Sequence, residues 1–126
     1  MLLFAADAQV GNWLSWQDLE WSRNGKKIRG PDLLKQTVLY KVGHRGSHNA
    51  TLREKGLELM TELKLALIPV DHAMALKKRW GNRPLPGIVN RLNEITSRFV
   101  LRVDQDVPDE LAKRVSASDL FYEVSV

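Results

Sequence analysis

Hydrophobic and polar residues follow their most regular pattern between Val38 and Leu67. Residues 38–42 are aliphatic or aromatic apart from one lysine, which favours a strand. The residues that follow include two glycines, a serine and an asparagine, which is typical of a turn. Thr51 and Glu54 then have the spacing of a capping box. The pattern therefore predicts a strand, a basic turn and a helix.

The predicted helix has an apolar face whose members lie three and four residues apart. These members are Gly56, Leu59, Met60, Leu63 and Leu67. Leu63, Leu65 and Leu67 also alternate with other residues, as in a strand, so the end of the segment fits both structures. The capping box and the length of the pattern favour the helix.

Shorter patterns predict the other elements. Helices are predicted at about residues 16–23, 71–80, 88–98 and 108–115, and strands at 38–42, 99–103 and 120–124. Residues 2–10 fit either an edge strand or the first turns of a helix. The expected fold is therefore a single α+β domain spanning residues 1–126, mainly helical with short β-strands.

Composition narrows the class of protein. A chain of 126 residues, 44% hydrophobic and 27% charged, suits one globular domain. It has no cysteine, which excludes disulfides and thiolate metal sites and fits a reducing compartment. No apolar run approaches the roughly 18 residues of a membrane span, and the apolar start stops at Asp7 without a basic flank. We expect a cytoplasmic protein with no membrane contact and no cofactor.

The net charge of +4 is unevenly distributed along the chain. Residues 23–55 carry nine bases and two acids, and residues 77–102 carry seven bases and one acid. Residues 103–126 carry six acids and two bases. If the two basic blocks meet in the fold, they form a surface that attracts phosphate. Otherwise they are solvated faces balanced by the acidic segments.

A family resemblance accompanies the central pattern. The strand, the basic turn and Leu-Arg-Glu-Lys-Gly at residues 52–56 resemble the wing region of MarR-type winged-helix regulators, which often carry Leu-Thr-Glu-Lys-Gly before a long helix. The resemblance covers about residues 38–67 and departs at Arg53, and residues 31–37 are short for the family's recognition helix. It implies a winged-helix-like fold, a preference for DNA over RNA and a homodimer.

The favoured hypothesis is a small, basic, non-catalytic nucleic-acid-binding protein, either a regulator or an accessory protein of a mobile element. Basic residues from both blocks are expected to contact phosphates. The expected contacts are Lys26, Lys27, Arg29, Lys41, Arg45, Lys77, Lys78, Arg79, Arg83 and Arg91. The glycine-containing basic loop near residue 25 lacks the spacing of a Walker loop.

Metal-independent RNA cleavage, as in a small toxin, is a second hypothesis. His44, Arg45 and His48 supply a base and cations that stabilise charge on a phosphorane-like transition state. The two histidines are four residues apart, but no third ligand is identifiable, so no metal site is predicted.

Protein binding is a third hypothesis. Trp13, Trp16 and Trp21 lie within nine residues, and tryptophan is enriched at interfaces. With the acidic C-terminus, this cluster suits a small inhibitor or adaptor that binds a protein partner. The same cluster also fits a hydrophobic core.

Overall fold

The computed structural model describes residues 1–125, which contain eight strands and four α-helices. In chain order they are β1 (Leu2–Phe4), α1 (Val10–Ser15), β2 (Glu20–Arg23), β3 (Lys26–Arg29), α2 (Gly30–Lys35), β4 (Leu39–Lys41), β5 (Leu65–Ile68), α3 (His72–Lys77), α4 (Pro86–Ile95), β6 (Val100–Arg102), β7 (Val115–Ala117) and β8 (Tyr122–Val124). Three single 3-10 turns cover His44–Gly46, Leu57–Leu59 and Asp109–Leu111.

A four-stranded parallel sheet with the strand order β1-β4-β5-β6 forms the centre of the fold. Tyr40 pairs with Leu3 on one side and with Ala66 on the other, and Ala66 pairs with Val100. Parallel neighbours require crossover connections, and α1 to α4 lie in those connections. Strands β2 and β3 form a separate antiparallel hairpin, as do β7 and β8.

The two faces of the parallel sheet have different cores. Tyr40, Ala66 and Val100 belong to the larger core, with Trp13 and Leu92 contributed by helices. The larger core also contains Leu34, Leu57, Met60, Ile68 and Ala75. The opposite face forms a smaller core of Leu39, Leu65, Leu101 and Leu111. Alternate strand residues therefore contribute to different cores, as the two-residue period of a strand requires.

The expectation of a mainly helical, winged-helix-like domain is wrong. The helices are short, and a parallel sheet with two antiparallel hairpins dominates the architecture. In particular, β4 lies between two parallel strands, β1 and β5, whereas a wing is an antiparallel hairpin.

The long helix predicted from Thr51 is also wrong, for local reasons. The Thr51 side chain is buried and hydrogen-bonds the Tyr40 hydroxyl, so tertiary contact replaces its expected capping role. Gly56 lies so close to the Leu52 carbonyl oxygen that a Cβ would be 2.3 Å from it. Only a 3-10 turn forms there, and the alternating end of the segment becomes β5.

Two other predicted helices are wrong. Residues 20–23 form β2 rather than the end of a helix, and Asn24 and Gly25, both with positive φ, turn the chain into β3. Residues 108–115 contain one 3-10 turn before β7 begins.

The other predicted helices and strands agree with the structure. Strands occur within 38–42, 99–103 and 120–124, and β1 is an edge strand. Asp71 caps α3 by accepting a hydrogen bond from the Met74 amide at 2.6 Å, although this helix already ends at Lys77. Helix α4 occupies most of the predicted 88–98 segment, with Pro86 in its first turn. Within residues 1–125, no helix has the length and apolar character needed to cross a membrane.

Candidate functional site

Loops that follow the parallel strands meet at one edge of the sheet, which we call the carboxyl edge. The His44 amide donates to the Ala6 carbonyl oxygen at 2.7 Å, joining the loops after β4 and β1. The Leu85 amide donates to the Gly46 carbonyl oxygen at 2.9 Å, joining the loop that precedes α4. Binding and catalytic residues commonly lie at such edges, because side chains from several loops converge there.

The loop after β4 has a strained backbone. His44, Arg45 and Gly46 have φ values of 42°, 56° and 62°, and the left-handed region is unfavourable for residues with a Cβ. Close packing holds this conformation. A Cβ on Gly43 would be 2.4 Å from the Ala6 carbonyl oxygen, and one on Gly46 would be 2.8 Å from Cβ of Pro84. The packing around Gly43 and Gly46 therefore fixes the positions of His44 and Arg45.

A chain of polar side chains orients His44. Its Nδ1 is 2.6 Å from the hydroxyl of Ser47, and the Ser47 hydroxyl donates to the side-chain oxygen of Asn49. The Asn49 amide donates to the Gln9 side-chain oxygen at 2.9 Å. The Ser47 hydroxyl proton points to Asn49. The Ser47 oxygen therefore accepts a hydrogen bond from His44, whose proton is on Nδ1. The His44 ring thereby keeps Nε2 for another partner.

The same loop is anchored in the larger core. The Tyr40 hydroxyl is 2.7 Å from the Thr51 hydroxyl, and the Trp13 indole donates to the Ala50 carbonyl oxygen at 2.9 Å. Burial raises the pKa of Tyr40 to about 12, although the hydrogen bond with Thr51 opposes this change. Two buried aromatic side chains thus position the segment from the end of β4 to Thr51.

His72 begins α3 directly after the loop that follows β5. Its Nδ1 lies 2.8 Å from the Arg83 carbonyl oxygen, and its backbone amide donates to the Asp104 carboxylate at 3.0 Å. A carbonyl oxygen can only accept, so Nδ1 of His72 carries the proton. As in His44, the hydrogen bond uses Nδ1 and leaves Nε2 of the ring available to another partner.

Asp104 links the end of β6 to the first turn of α3. The Arg102 guanidinium donates to both carboxylate oxygens, at 2.9 and 2.8 Å, and the Asp104 side chain is only 8% exposed. Desolvation opposes ionisation, but the hydrogen bonds from Arg102 and from the His72 amide outweigh it, so the pKa of Asp104 is lowered. The ionised carboxylate therefore fixes the first turn of α3.

Arg45 and Trp80 form the exposed part of the carboxyl edge. The Arg45 guanidinium carbon lies 4.8 Å from the centre of the Trp80 ring, within the range of a cation–π contact. Trp80 remains 42% exposed. Lys77, Lys78 and Arg79 immediately precede it and are all exposed, and Arg83 follows in the same loop. An accessible aromatic ring therefore contacts one cation and lies in a segment that carries four more basic residues.

Half of the basic residues predicted to bind phosphate lie elsewhere. Lys26, Lys27 and Arg29 belong to the β2–β3 hairpin, where Lys27 lies 2.8 Å and Arg29 3.3 Å from Glu20. These contacts, led by the hydrogen bond from Lys27, lower the pKa of Glu20. The hairpin shares a groove with Gln36, whose carbonyl oxygen accepts from the amino group of Met1. It therefore lies towards the amino edge of the sheet, so the hairpin part of the first basic block is separate from Arg45, the member of that block that contacts Trp80.

The other predicted cations also lie apart. Lys41 lines a groove of about 480 Å³ beside the C-terminal hairpin, on the sheet face of the smaller core. Arg91 forms ion pairs with Glu58 and Glu94, and the hydrogen bond with Glu58 is the main cause of the raised Arg91 pKa. His48 is exposed and lines a third groove with Arg53 and Arg91.

The tryptophan cluster has mixed roles. Trp13 is fully buried, with its ring 4.8 Å from that of Trp16, so it is core. Trp21 is 45% exposed and borders an apolar groove with Leu19 and Leu33. The acidic C-terminal segment ends in a hairpin at whose turn Leu120 is 93% exposed.

Sequence reasoning did not select Trp80 or His72 for this site. The exposed Trp80 stands between basic residues in the sequence, which was a usable signal. For His72, the signal would have been its position just after a buried strand, but this becomes informative only when that strand is known to be parallel to β4.

Within residues 1–125, no three histidine, aspartate or glutamate side chains converge in a way that could hold a metal ion. No protein family, curated protein or solved structure matches this chain.

Proposed function

We propose that this protein binds nucleic acid at the carboxyl edge, through Arg45, Trp80 and the neighbouring cations. The observation that carries the proposal is the Arg45–Trp80 contact on an exposed surface, next to Lys77, Lys78 and Arg79. An aromatic ring among cations is the combination that binds single strands, because bases stack on the ring while cations contact phosphates. A role as a cytoplasmic regulator or mobile-element accessory protein is compatible with such binding.

The conformation of the loop supports a binding role for Arg45. Its left-handed backbone and its contact with Trp80 hold the guanidinium in place before a ligand arrives. Less side-chain freedom is then lost on binding, which favours affinity. The left-handed backbone of the two successive residues His44 and Arg45 is also a kind of strain that clusters at functional sites.

The expected ligand differs from that of a winged helix. The resemblance favoured duplex DNA, read by a wing and a recognition helix. Trp80 instead favours unpaired bases, because stacking requires a base face that a duplex does not expose. We therefore expect single-stranded DNA or RNA to bind more tightly than a duplex of the same length.

Fluorescence anisotropy with labelled 20-nucleotide single strands and duplexes, at two salt concentrations, tests the proposal. Binding should weaken steeply with salt, because phosphate contacts release counterions. Trp80→Ala should weaken single-strand binding about tenfold or more, the loss of one stacked base, whereas Trp80→Phe should keep most of it. Lys113→Glu is the control for nonspecific charge, because Lys113 is exposed and lies in the C-terminal segment.

Two results would refute the proposal. One is the absence of any binding at micromolar protein and low salt. The other is binding that Lys113→Glu weakens while Trp80→Ala leaves it unchanged, since this would indicate only a diffuse electrostatic attraction. In either case the apolar groove beside Trp21 would become the better candidate, and the protein-partner hypothesis would be tested instead.

A further inference from the structure

Two histidines occupy equivalent positions at the carboxyl edge. Strands β4 and β5 are hydrogen-bonded neighbours, and His44 and His72 each lie a few residues beyond the end of one of them. Both loops also form hydrogen bonds with the same short segment, residues 83–85. The Gly46 carbonyl oxygen accepts from the Leu85 amide at 2.9 Å, and Nδ1 of His72 lies 2.8 Å from the Arg83 carbonyl oxygen.

The two imidazoles are fixed in the same way. Nδ1 of His44 is engaged by Ser47, which is 4% exposed, and Nδ1 of His72 is engaged by a backbone carbonyl. In each ring, Nε2 lies across from the engaged nitrogen, and both side chains are partly exposed. A neutral imidazole with a proton on Nδ1 has its lone pair on Nε2, where it can act as a base. Arg45, the next residue in the chain after His44, supplies a positive charge that is held over the Trp80 ring.

We propose that the carboxyl edge cleaves RNA without a metal ion, with His72 as general base, His44 as general acid and Arg45 stabilising the transition state. The proposal rests on the nucleic-acid binding proposed above, because the bound strand must place a phosphodiester next to these groups. Two acid–base groups and a cation near a phosphate are the minimum that this reaction needs.

The reaction requires no further reactant. Nε2 of His72 takes the proton of a ribose 2′-hydroxyl, and the 2′-oxygen forms a bond to the adjacent phosphorus. The bond between phosphorus and the 5′-oxygen breaks, and His44, which acts in its imidazolium form with a proton on each ring nitrogen, passes the Nε2 proton to that leaving oxygen. The products are a 2′,3′-cyclic phosphate and a free 5′-hydroxyl. Negative charge on the non-bridging oxygens rises in the transition state, where the Arg45 guanidinium stabilises it.

This assignment replaces the histidine pair suggested by the sequence. His48 lies in the groove with Arg53 and Arg91, and both of these arginines form ion pairs with Glu58. His72, although distant in sequence from His44, contacts the same residues 83–85 as the His44 loop.

The first test uses the unmodified protein, a chelator and a single-stranded RNA with a single-strand DNA of the same sequence. We expect RNA fragments ending in a cyclic phosphate, intact DNA, and intact RNA wherever a 2′-methoxy group replaces the hydroxyl. The methoxy-substituted RNA also serves to measure binding. If it binds but normal RNA stays intact, the cleavage proposal is refuted and the binding proposal survives. If it does not bind, the binding proposal fails as well.

The second test uses three matched variants, His44→Asn, His72→Asn and His48→Asn. The asparagine amide can replace the Nδ1 hydrogen bond but cannot transfer a proton as Nε2 does. We expect cleavage to fall about 100-fold or more in the first two variants and to persist in the third. Melting curves show whether each variant is folded, and the 2′-methoxy experiment remains decisive if one is not.

A substrate with sulfur in place of the bridging 5′-oxygen distinguishes the two roles. A thiolate leaves without protonation, so this substrate should restore cleavage by His44→Asn but not by His72→Asn. Rescue of the opposite variant would reverse the assigned roles and refute the assignment. Equal cleavage by all three variants, or its loss in His48→Asn alone, would also refute it.

Discussion

The β2–β3 hairpin and the carboxyl edge are both rich in basic residues, but they use positive charge differently. On the hairpin, Lys27 and Arg29 lie beside Glu20, so part of their charge is neutralised across the two strands. At the carboxyl edge, Arg45 contacts the Trp80 ring. Among the ion pairs found within residues 1–125, none involves Arg45, Arg83 or residues 77–79. Equal charge in the sequence thus does not imply equal availability to a ligand.

The two regions also differ in how firmly their loops are held. The hairpin turn at Asn24–Gly25 extends into solvent, and a Cβ on Gly25 would meet no atom within 4 Å. The loop after β4 is enclosed by neighbouring loops and anchored by Tyr40 and Trp13. A preformed loop with free cations is the better basis for a binding site. The following predictions test this contrast, beginning with the largest expected effect.

Gly46→Ala and Gly25→Ala compare loop packing directly, because both glycines have positive φ, at 62° and 72°. Both substitutions introduce left-handed strain of about 1 to 2 kcal/mol. Only Gly46→Ala adds a clash, at 2.8 Å from Pro84, which should cost about 1 to 3 kcal/mol more. Urea unfolding of the two variants measures the difference. Equal losses would show that the loop after β4 is not tightly packed.

Asp104→Asn and Glu20→Gln compare one carboxylate from each region. Asp104 is nearly buried with Arg102, so its loss should lower the free energy of unfolding by about 1 to 3 kcal/mol at neutral pH. Glu20 is solvent-exposed on the hairpin, and its loss should have a smaller effect.

The pH dependence of the free energy of unfolding gives a second comparison of Asp104 and Glu20. The pKa of both carboxyls is lowered in the folded protein. Each therefore stabilises the fold above the ordinary carboxyl pKa, and this stabilisation is lost as the pH falls through the lowered value. The difference between wild type and Asp104→Asn should thus shrink below about pH 4. A difference that stayed constant down to pH 2 would contradict the role given to the Asp104 carboxylate.

Arg45→Glu and Lys26→Glu compare the two basic regions in binding. Each changes the net charge by the same amount, but only Arg45 belongs to the proposed site. We expect Arg45→Glu to weaken single-strand binding about tenfold or more, and Lys26→Glu to weaken it by less than about threefold at physiological salt. Anisotropy titrations provide the measurement. A stronger effect of Lys26→Glu would move the binding site to the hairpin.

The smallest effect is expected from Lys27→Met, which removes one cation from Glu20. Exposed ion pairs contribute little, and Arg29 still neutralises the carboxylate, so the melting temperature should change by no more than about 2 °C. Differential scanning calorimetry at low and high salt measures it. A larger change that disappears in high salt would show that the hairpin depends on this pair.

Several elements were predictable because their signals are local. The apolar runs at 38–42 and 99–103 form strands, and Asp71 caps a helix as its position indicated. In contrast, residues 51–67 satisfy both helical and strand periodicity. There, burial of Thr51 against Tyr40 and the close approach of Gly56 to the Leu52 carbonyl oxygen exclude the helix. Such contacts depend on residues from other segments, which a local pattern does not contain.

The sequence by itself determined the glycine-containing turn that presents His44 and Arg45, the cap of α3, and the presence of two basic blocks. The tertiary structure alone decided that β4 and β5 are parallel neighbours and that the β2–β3 hairpin is separate from Arg45 and Trp80. It also brought Trp80 to Arg45, and His72 to the segment 83–85 that the loop after β4 contacts. The physical reason is that parallel strands pair across long crossovers, so the residues sharing their carboxyl edge are set by packing between distant segments rather than by local sequence.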